Sequence, residues 1–544
     1  MLPTTIPAAP ACRKETQKLA HPAGEEQRKA FFRTPVTVAG VVLGLAAIII
    51  YTITLAPDVL AHDSGEWQAA GATLGITHGP GTPAYTIVSW LFSLVPIGSA
   101  AARISYVSVI TSAAGVVAAY ALMMIIFGRM LPALVSAVTL GVARLWWSQA
   151  SVAVPYNTIV LIMAVLLILL LLWRKSGDNR LVWGGALLAG FGYSWHTTML
   201  FFLPVMVVGI FVLGPWRRLL KPLPIALTIG MFIVGFSFYA YVPIRSAMNP
   251  AVVAFTKVNS FSSFKDYLSG AETRPNPGHE VIQVPGLGDV KARLTEVVRS
   301  SYYPSYAFLV FGPAIILLYP AVWPRIKPFV RILLFLLAGM VLQMTMVILI
   351  SGMYDQYYLP LLFYFSIWVG FSVYLIMTVG ESYLEGEKLR RLLVVATGVF
   401  FFAMLALGIP RVWSFVNHAN DVSMRHYVDD VFATARPDAV ILADWDSYPA
   451  LLYAQKVDGE RPDLTLKVSL QPAVWREEVS QLESEYPRNQ ILLSRTLPMD
   501  QANNIVALSQ PIFVSIKGKT YQDYSHGEPL PAALQLFEVK DTTP

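Results

Sequence analysis

The stretch Ala84-Tyr85-Thr86-Ile87-Val88-Ser89-Trp90-Leu91-Phe92-Ser93-Leu94-Val95 is apolar enough for a membrane but shorter than the roughly 17 residues a span usually needs. Its reading fixes the topology of everything after it. If it lies along the membrane without crossing, the basic clusters of the chain all fall on one side. These clusters are Arg13/Lys14/Lys18/Arg28/Lys29/Arg33, Arg129, Arg174/Lys175/Arg180, Arg217/Arg218/Lys221, Arg325/Lys327/Arg331 and Lys388/Arg390/Arg391. If it crosses, every cluster after the first changes side. Cytoplasmic loops carry the excess of Lys and Arg, so the segment is read as a juxtamembrane helix.

The spans on either side follow from apolar runs. They are expected at about Val36–Leu55, Ala100–Phe127, Leu131–Trp147, Thr158–Trp173, Leu181–Trp195, Thr198–Leu213, Leu223–Val242, Ser305–Tyr319, Ile332–Ser351, Tyr357–Val379 and Leu392–Ile409. That makes a polytopic α-helical membrane protein with about 11 transmembrane helices, the N-terminus cytoplasmic. Composition agrees: of 544 residues, 55% are hydrophobic and 14% charged, well below the roughly one quarter charged of soluble domains. The net charge of +6 follows from topology and calls for no nucleic-acid partner. The single cysteine, Cys12, excludes an internal disulfide or a cysteine metal cluster.

Three units are expected. Residues 1–34 read as a disordered cytoplasmic tail, too polar for a signal peptide. Residues 35–409 form the membrane domain, with outer loops at 56–99 and 243–304. Residues 410–544 form an outward α/β domain, because strand-like runs (Ala439–Ala443, Leu464–Leu470, Gln490–Ser494, Ile512–Ile516, Leu534–Val539) alternate at first with helical stretches such as Pro472–Tyr486.

Ionisable residues near the spans gather in one outer layer: Asp63, Glu66, His78, Arg103, Arg144, His196, Arg245 and Asp355. A transport path would place polar groups near the midplane, often on paired broken helices; a single outer layer suits a reaction at the membrane surface. The densest group is His62-Asp63-Ser64-Gly65-Glu66-Trp67, followed by His78-Gly79-Pro80-Gly81-Thr82-Pro83. A carboxylate at the membrane edge can deprotonate an acceptor hydroxyl. The same spacing of Asp63 and Glu66 also matches a helix capping box. Arg103, Arg144 and Arg245 read equally as phosphate ligands and as headgroup anchors. Tyr354-Asp355-Gln356-Tyr357-Tyr358 reads as an aromatic belt with one acid, and Asp444-Trp445-Asp446 as a strand-end turn in preference to a metal site.

The run Ala61-His62-Asp63-Ser64-Gly65-Glu66 with Leu74-Gly75-Ile76-Thr77-His78-Gly79-Pro80-Gly81 resembles the membrane family known as domain of unknown function 2723. Its animal relatives include an endoplasmic-reticulum protein O-mannosyltransferase. The resemblance continues at Trp147-Ser148-Gln149-Ala150, His196-Thr197, Pro243-Ile244-Arg245 with Asn249-Pro250, Leu451-Leu452-Tyr453-Ala454-Gln455 and Gly459-Glu460-Arg461-Pro462-Asp463. Where the family commonly has a Glu after Ser-Gln, this chain has Val154-Pro155-Tyr156. The resemblance implies a GT-C-like glycosyltransferase. A sugar such as mannose would pass from a polyprenyl phosphate to a hydroxyl of a protein, lipid or glycan, in a bacterial inner membrane or one like the endoplasmic reticulum. Asp63 and Glu66 would be catalytic, and His78, Arg103, His196, Arg245, Tyr354 and Asp355 would bind substrate. No cofactor and no protein-held metal is expected. A lipid or polysaccharide transporter and a non-catalytic membrane scaffold are the alternatives.

Overall fold

Long apolar runs punctuated by Gly and Pro set the helices. The computed structural model describes residues 34–253, 255, 257–271, 286, 288, 290–292, 295, 307–349, 355–469, 475–494, 505–507 and 534–539. The expected tail with Cys12, Tyr354, and much of the loop 243–304 lie outside them. Helices α1 (Thr34–Ile53), α2 (His62–Thr73), α3 (Pro83–Ser93) and α4 (Ala100–Phe127) open the bundle. They are followed by α5 (Met130–Gly141), α6 (Arg144–Ala150), α7 (Tyr156–Ser176), α8 (Arg180–Trp195), α9 (Leu203–Leu213), α10 (Pro222–Phe236), α11 (Tyr241–Ala247) and α12 (Phe261–Ser269). Helices α13 (Ala307–Leu318), α14 (Val330–Leu349), α15 (Leu359–Tyr383) and α16 (Glu387–Val416) complete it.

Among the described residues, seven helical stretches are long and apolar enough to cross a membrane, or eight if the α5–α6 pair, bent by 65°, counts as one span. The expected eleven include shorter helices such as α8, α9 and α13 that fall below that length. The expected single span Leu131–Trp147 breaks at Val142-Ala143, and the last helix runs through Pro410 to Val416, past the expected end at Ile409. Most of the segment Ala84–Val95 forms the short α3, and its Leu91, with Leu94 and Val95 just beyond the helix, stays exposed.

Small and polar residues hold the bundle, as expected where lipid removes the hydrophobic drive between helices. Helices α8 and α10 meet at two glycines: a Cβ on Gly190 would lie 2.1 Å from the Phe232 carbonyl, and one on Gly235 2.1 Å from that of Leu187. Tyr51 donates to the Gly141 carbonyl at 2.8 Å, Trp147 Nε1 to Thr54 Oγ1 at 3.0 Å, and Asn157 Nδ2 to Ser112 Oγ at 2.6 Å. At one end of the bundle Arg129 pairs with Glu381, its Nη2 at 2.9 Å, and Arg325 lies 3.9 Å from the same carboxylate. Arg218 there donates to the Gly177 carbonyl at 3.2 Å. Helix α4 leads from that end to the other, where the amide of Ala101 donates to Tyr453 Oη at 3.0 Å. The C-terminal domain therefore sits at the end opposite these basic residues.

That domain carries α17 (Ser423–Thr434), β1 (Val440–Asp444), α18 (Tyr448–Lys456), β2 (Thr465–Ser469), α19 (Trp475–Glu485), β3 (Ile491–Leu493), β4 (Ile505–Ala507) and β5 (Phe537–Val539). The sheet order is β2-β1-β3-β5-β4, with β1 parallel to β2 and β3, and β5 antiparallel to β3 and β4. β1 is buried along its whole length, as its unbroken apolar run requires. The strand expected at Ile512–Ile516 lies outside the described residues, and β4 was not foreseen.

Candidate active site

Helix α2 begins abruptly. Ala61 precedes it in extended conformation without a side-chain cap, and His62 takes φ +56°, a left-handed backbone that costs a non-glycine residue about 1–2 kcal/mol. The turn is held by Gln68, whose Oε1 accepts from the Leu60 amide at 2.9 Å and whose Nε2 donates to Ser105 Oγ at 3.2 Å. Asp63 thus enters at the second helical position, 7% exposed, where the N-terminal helix dipole favours a negative charge. The capping-box alternative does not hold: Asp63 is inside the helix, and the Glu66 side chain turns elsewhere.

Glu66, 1% exposed, closes a clamp on His78. Its Oε1 accepts the His78 amide at 2.5 Å and its Oε2 lies 2.6 Å from His78 Nδ1. This fixes the imidazole, whose edge-to-face neighbour at 5.8 Å is Trp445. The His78 turn is pinned from the second outer loop and the helix end before it: Tyr267 Oη donates to the Thr77 carbonyl at 2.9 Å and Tyr239 Oη to that of Pro80 at 3.1 Å.

Trp445 belongs to the C-terminal domain, in the turn after β1. Its Nε1 donates to Asp63 Oδ1 at 2.8 Å, the same oxygen that lies 2.7 Å from His62 Nδ1. The turn is built by Asp444, whose Oδ1 accepts from the Ser447 amide at 3.2 Å and hydroxyl at 2.8 Å. Among the described residues no group of three or more His, Cys, Asp or Glu could hold a metal ion. Gly65 allows the approach of α18: a Cβ there would lie 2.3 Å from the Leu60 carbonyl and 3.2 Å from Pro449 Cβ. Burial, reinforced by the Glu66 carboxylate, pushes the Tyr448 phenol up, so this neighbour stays protonated.

The other expected site residues lie elsewhere. Arg245 on α11 donates through Nε to the Leu74 carbonyl at 2.8 Å and through Nη2 to that of Thr73 at 3.3 Å. It caps the C-terminus of α2, where a cation and its donors satisfy the last carbonyls, about 16 Å along the helix from Asp63 at 1.5 Å per residue. The phosphate role expected for Arg245 is tested below by substitution. Arg103, in the first turn of α4, donates to the Val95 carbonyl and so ties down the α3–α4 turn. Asp355 opens a short 3-10 turn, Asp355–Tyr358, and its side chain lies outside what is described.

His196, with Nδ1 2.9 Å from Thr198 Oγ1, sets its ring 4.9 Å from that of Tyr156. Tyr156 and Thr198 help line a narrow, open cleft with a free volume of about 20 Å³, together with Met163, Gln343, Gln356 and Tyr357 among others. Trp67 on α2 packs edge-on against Tyr156 at 5.7 Å, so the helix of Asp63 also borders this cleft. Sequence reading missed Trp445, Gln68, Gln343 and Gln356. Only the glycine of Asp-Ser-Gly-Glu hinted that another backbone comes close.

Residues 63–219 match the family model described as the Protein O-mannosyl-transferase TMEM260 N-terminal domain. The mouse (Mus musculus) Protein O-mannosyl-transferase TMEM260 is 28% identical over 211 residues, covering 37% of this chain and 29% of the mouse protein. The match therefore spans less than a third of that relative's length. Two solved structures are similar along nearly the whole chain, both of ArnT from Cupriavidus metallidurans. The form bound to undecaprenyl phosphate has a TM-score of 0.57 at 12% identity, covering 92% of this chain and 98% of ArnT. The apo form has a TM-score of 0.58 at 12% identity, covering 93% and 98%. At that identity the likeness is one of fold. The chain is a multi-pass integral membrane protein with a GT-C-like fold, and the segment that carries Asp63, Glu66 and His78 is similar to the N-terminal domain of an O-mannosyltransferase.

Proposed function

We propose that this protein is a glycosyltransferase of the domain of unknown function 2723 kind, moving mannose or a similar sugar from a polyprenyl phosphate to an acceptor hydroxyl on the outer membrane face. The observation that carries the reading is Asp63: a buried carboxylate at the start of a short helix, at the bundle end away from Arg129, Arg218 and Arg325. By the positive-inside rule that end faces outward, with the N-terminus cytoplasmic and the C-terminal domain outside. The name of the mouse relative and the undecaprenyl phosphate bound to ArnT support the reaction class.

In this reaction Asp63 takes the proton of the acceptor hydroxyl as its oxygen attacks the anomeric carbon. The bond between that carbon and the phosphate oxygen breaks, and the lipid leaves as a monophosphate. A single in-line displacement inverts the anomeric centre. Glu66 acts through His78, holding the imidazole at the rim of the site. The cleft beside Tyr156 and His196 marks where the donor's phosphate end would approach: Tyr, Gln and Thr groups line it among apolar residues, while the isoprenoid tail would lie against the apolar faces of the bundle.

The test is chemical. Purified protein in bilayers is given polyprenyl-phosphate mannose, with and without a mixture of hydroxyl acceptors, and the lipid products are weighed by mass spectrometry. Formation of polyprenyl monophosphate that depends on acceptor is expected. Movement of intact donor across the bilayer with no cleavage would refute the reading in favour of transport.

A further inference from the structure

The Trp445 indole reaches Asp63 from a position 382 residues away in the chain, and its surroundings fix its direction. Its ring meets His62 edge-on at 6.5 Å and 80°, and His78 at 5.8 Å and 86°. It leans on Phe255 at 5.0 Å and 36° and stacks on Tyr448 at 6.4 Å and 24°. Two rings set edge-on and two nearer to parallel leave the indole little freedom to tilt. The backbone is tied as well: the His62 amide donates to the Asp446 carbonyl at 3.2 Å, joining the turn around Trp445 to the first residue of α2. An indole N–H is donor only, so the contact with Asp63 Oδ1 is of use to a carboxylate that is ionised or is held with that oxygen as acceptor.

We propose that Trp445 is a positioning residue for Asp63: its N–H holds the carboxylate in one orientation and in its ionised form, so that the C-terminal domain completes the active site. The inference rests on Asp63 being the general base. A base must be ionised when the acceptor arrives, and a hydrogen bond donated to a carboxylate favours its charged form. The ring contacts alone would serve interface packing. The N–H bond adds a function that packing does not need, and the two are separable because Trp445→Phe keeps an aromatic ring and removes the donor.

Of the titratable groups near this site, His62 lies 2.7 Å from Asp63 Oδ1, Glu66 on the same helix is paired with His78, Tyr448 stacks on Trp445, and Asp444 and Asp446 flank Trp445 in sequence. All remain in Trp445→Phe, so a change in Asp63 ionisation reports the lost N–H. Two readouts on the full chain in bilayers test the proposal. The first is the infrared carboxylic-acid band that disappears in Asp63→Asn, followed against pH. The second is the acid limb of transfer from polyprenyl-phosphate mannose. In Trp445→Phe both midpoints are expected to move upward by about one pH unit, with transfer falling on the order of tenfold at pH values below the wild-type limb. A band midpoint that stays in place overturns the proposal, whether or not the protein transfers sugar. A band that moves while the acid limb stays also overturns it, because Asp63 ionisation would then not govern the reaction. Should the wild type transfer no sugar while the band still moves, the functional reading fails; the proposed hold on Asp63 then stands on the band alone.

Discussion

Glu66→Gln isolates the clamp on His78. The carboxylate is buried and receives two donors, the His78 amide at 2.5 Å and the imidazole Nδ1 at 2.6 Å. Glutamine keeps one acceptor oxygen and turns an amide N–H₂ toward the second donor. One charge-assisted hydrogen bond is lost, on the order of 1.5–3 kcal/mol, and a buried donor is left facing another donor, which costs a further ~1–3 kcal/mol. Relaxation of the His78 turn recovers part of this, so a net destabilisation of about 2–3 kcal/mol is expected. It should concentrate in the first outer loop because the spans do not depend on it. Thermal unfolding in detergent measures the global share, and hydrogen exchange of the His78 amide measures the local one. Turnover should fall about 10- to 100-fold through misplacement of the imidazole, with donor binding close to normal. Wild-type exchange at His78 together with wild-type turnover would show that the clamp positions nothing.

Three further outcomes follow from the geometry. Gly65→Ala places a Cβ 2.3 Å from the Leu60 carbonyl and 3.2 Å from Pro449; it should cost about 1–3 kcal/mol and speed proteolysis between α16 and α17, whereas unchanged cleavage would mean that α18 is not seated there. Arg245→Lys loses the forked donation to Leu74 and Thr73; it should lower stability by about 1 kcal/mol and leave polyprenyl-phosphate affinity unaltered, and a loss of affinity would return Arg245 to the donor site. Asp458 is raised to about 6, by burial first, with Glu460 and Asp58 adding to it against Arg425. A carboxyl whose folded pKa is raised favours the folded state in its protonated form, so this contribution is present below about pH 4 and is lost as pH rises to about 6. Asp458→Asn should flatten the unfolding temperature of the C-terminal domain across that window, and an unchanged slope would contradict the assignment.

Much of the membrane fold was legible because its signals are local. Ala100–Phe127 was bounded correctly: its apolar run ends at the left-handed Gly128, and Ser99 caps its start by accepting from the Ala102 amide. The span Leu131–Trp147 looked continuous because hydropathy does not register a 65° bend. Pro410 was read as a stop, yet a proline inside a helix removes one hydrogen bond and can be carried by a long apolar helix. Asp63, Glu66 and His78 stood out as a polar group in an apolar setting, and the structure does bring the latter two together. Trp445 could not be found that way, since its partner is set by docking of a distant domain. The carbonyl contacts of Arg245 were illegible for a related reason: a guanidinium that caps carbonyls and one that binds phosphate have the same sequence context, and the proximity of Leu74 and Thr73 appears only in the fold.

The central claim, that Asp63 removes the acceptor proton in a sugar transfer, is tested most directly by comparing Asp63→Asn with wild type. The two are measured for acceptor-dependent release of polyprenyl monophosphate from polyprenyl-phosphate mannose under single-turnover conditions. Asn is close in size to Asp and cannot take a proton, so the variant should fold and bind donor normally while the rate falls about 10²- to 10⁴-fold. Equal rates for the two proteins would contradict the account.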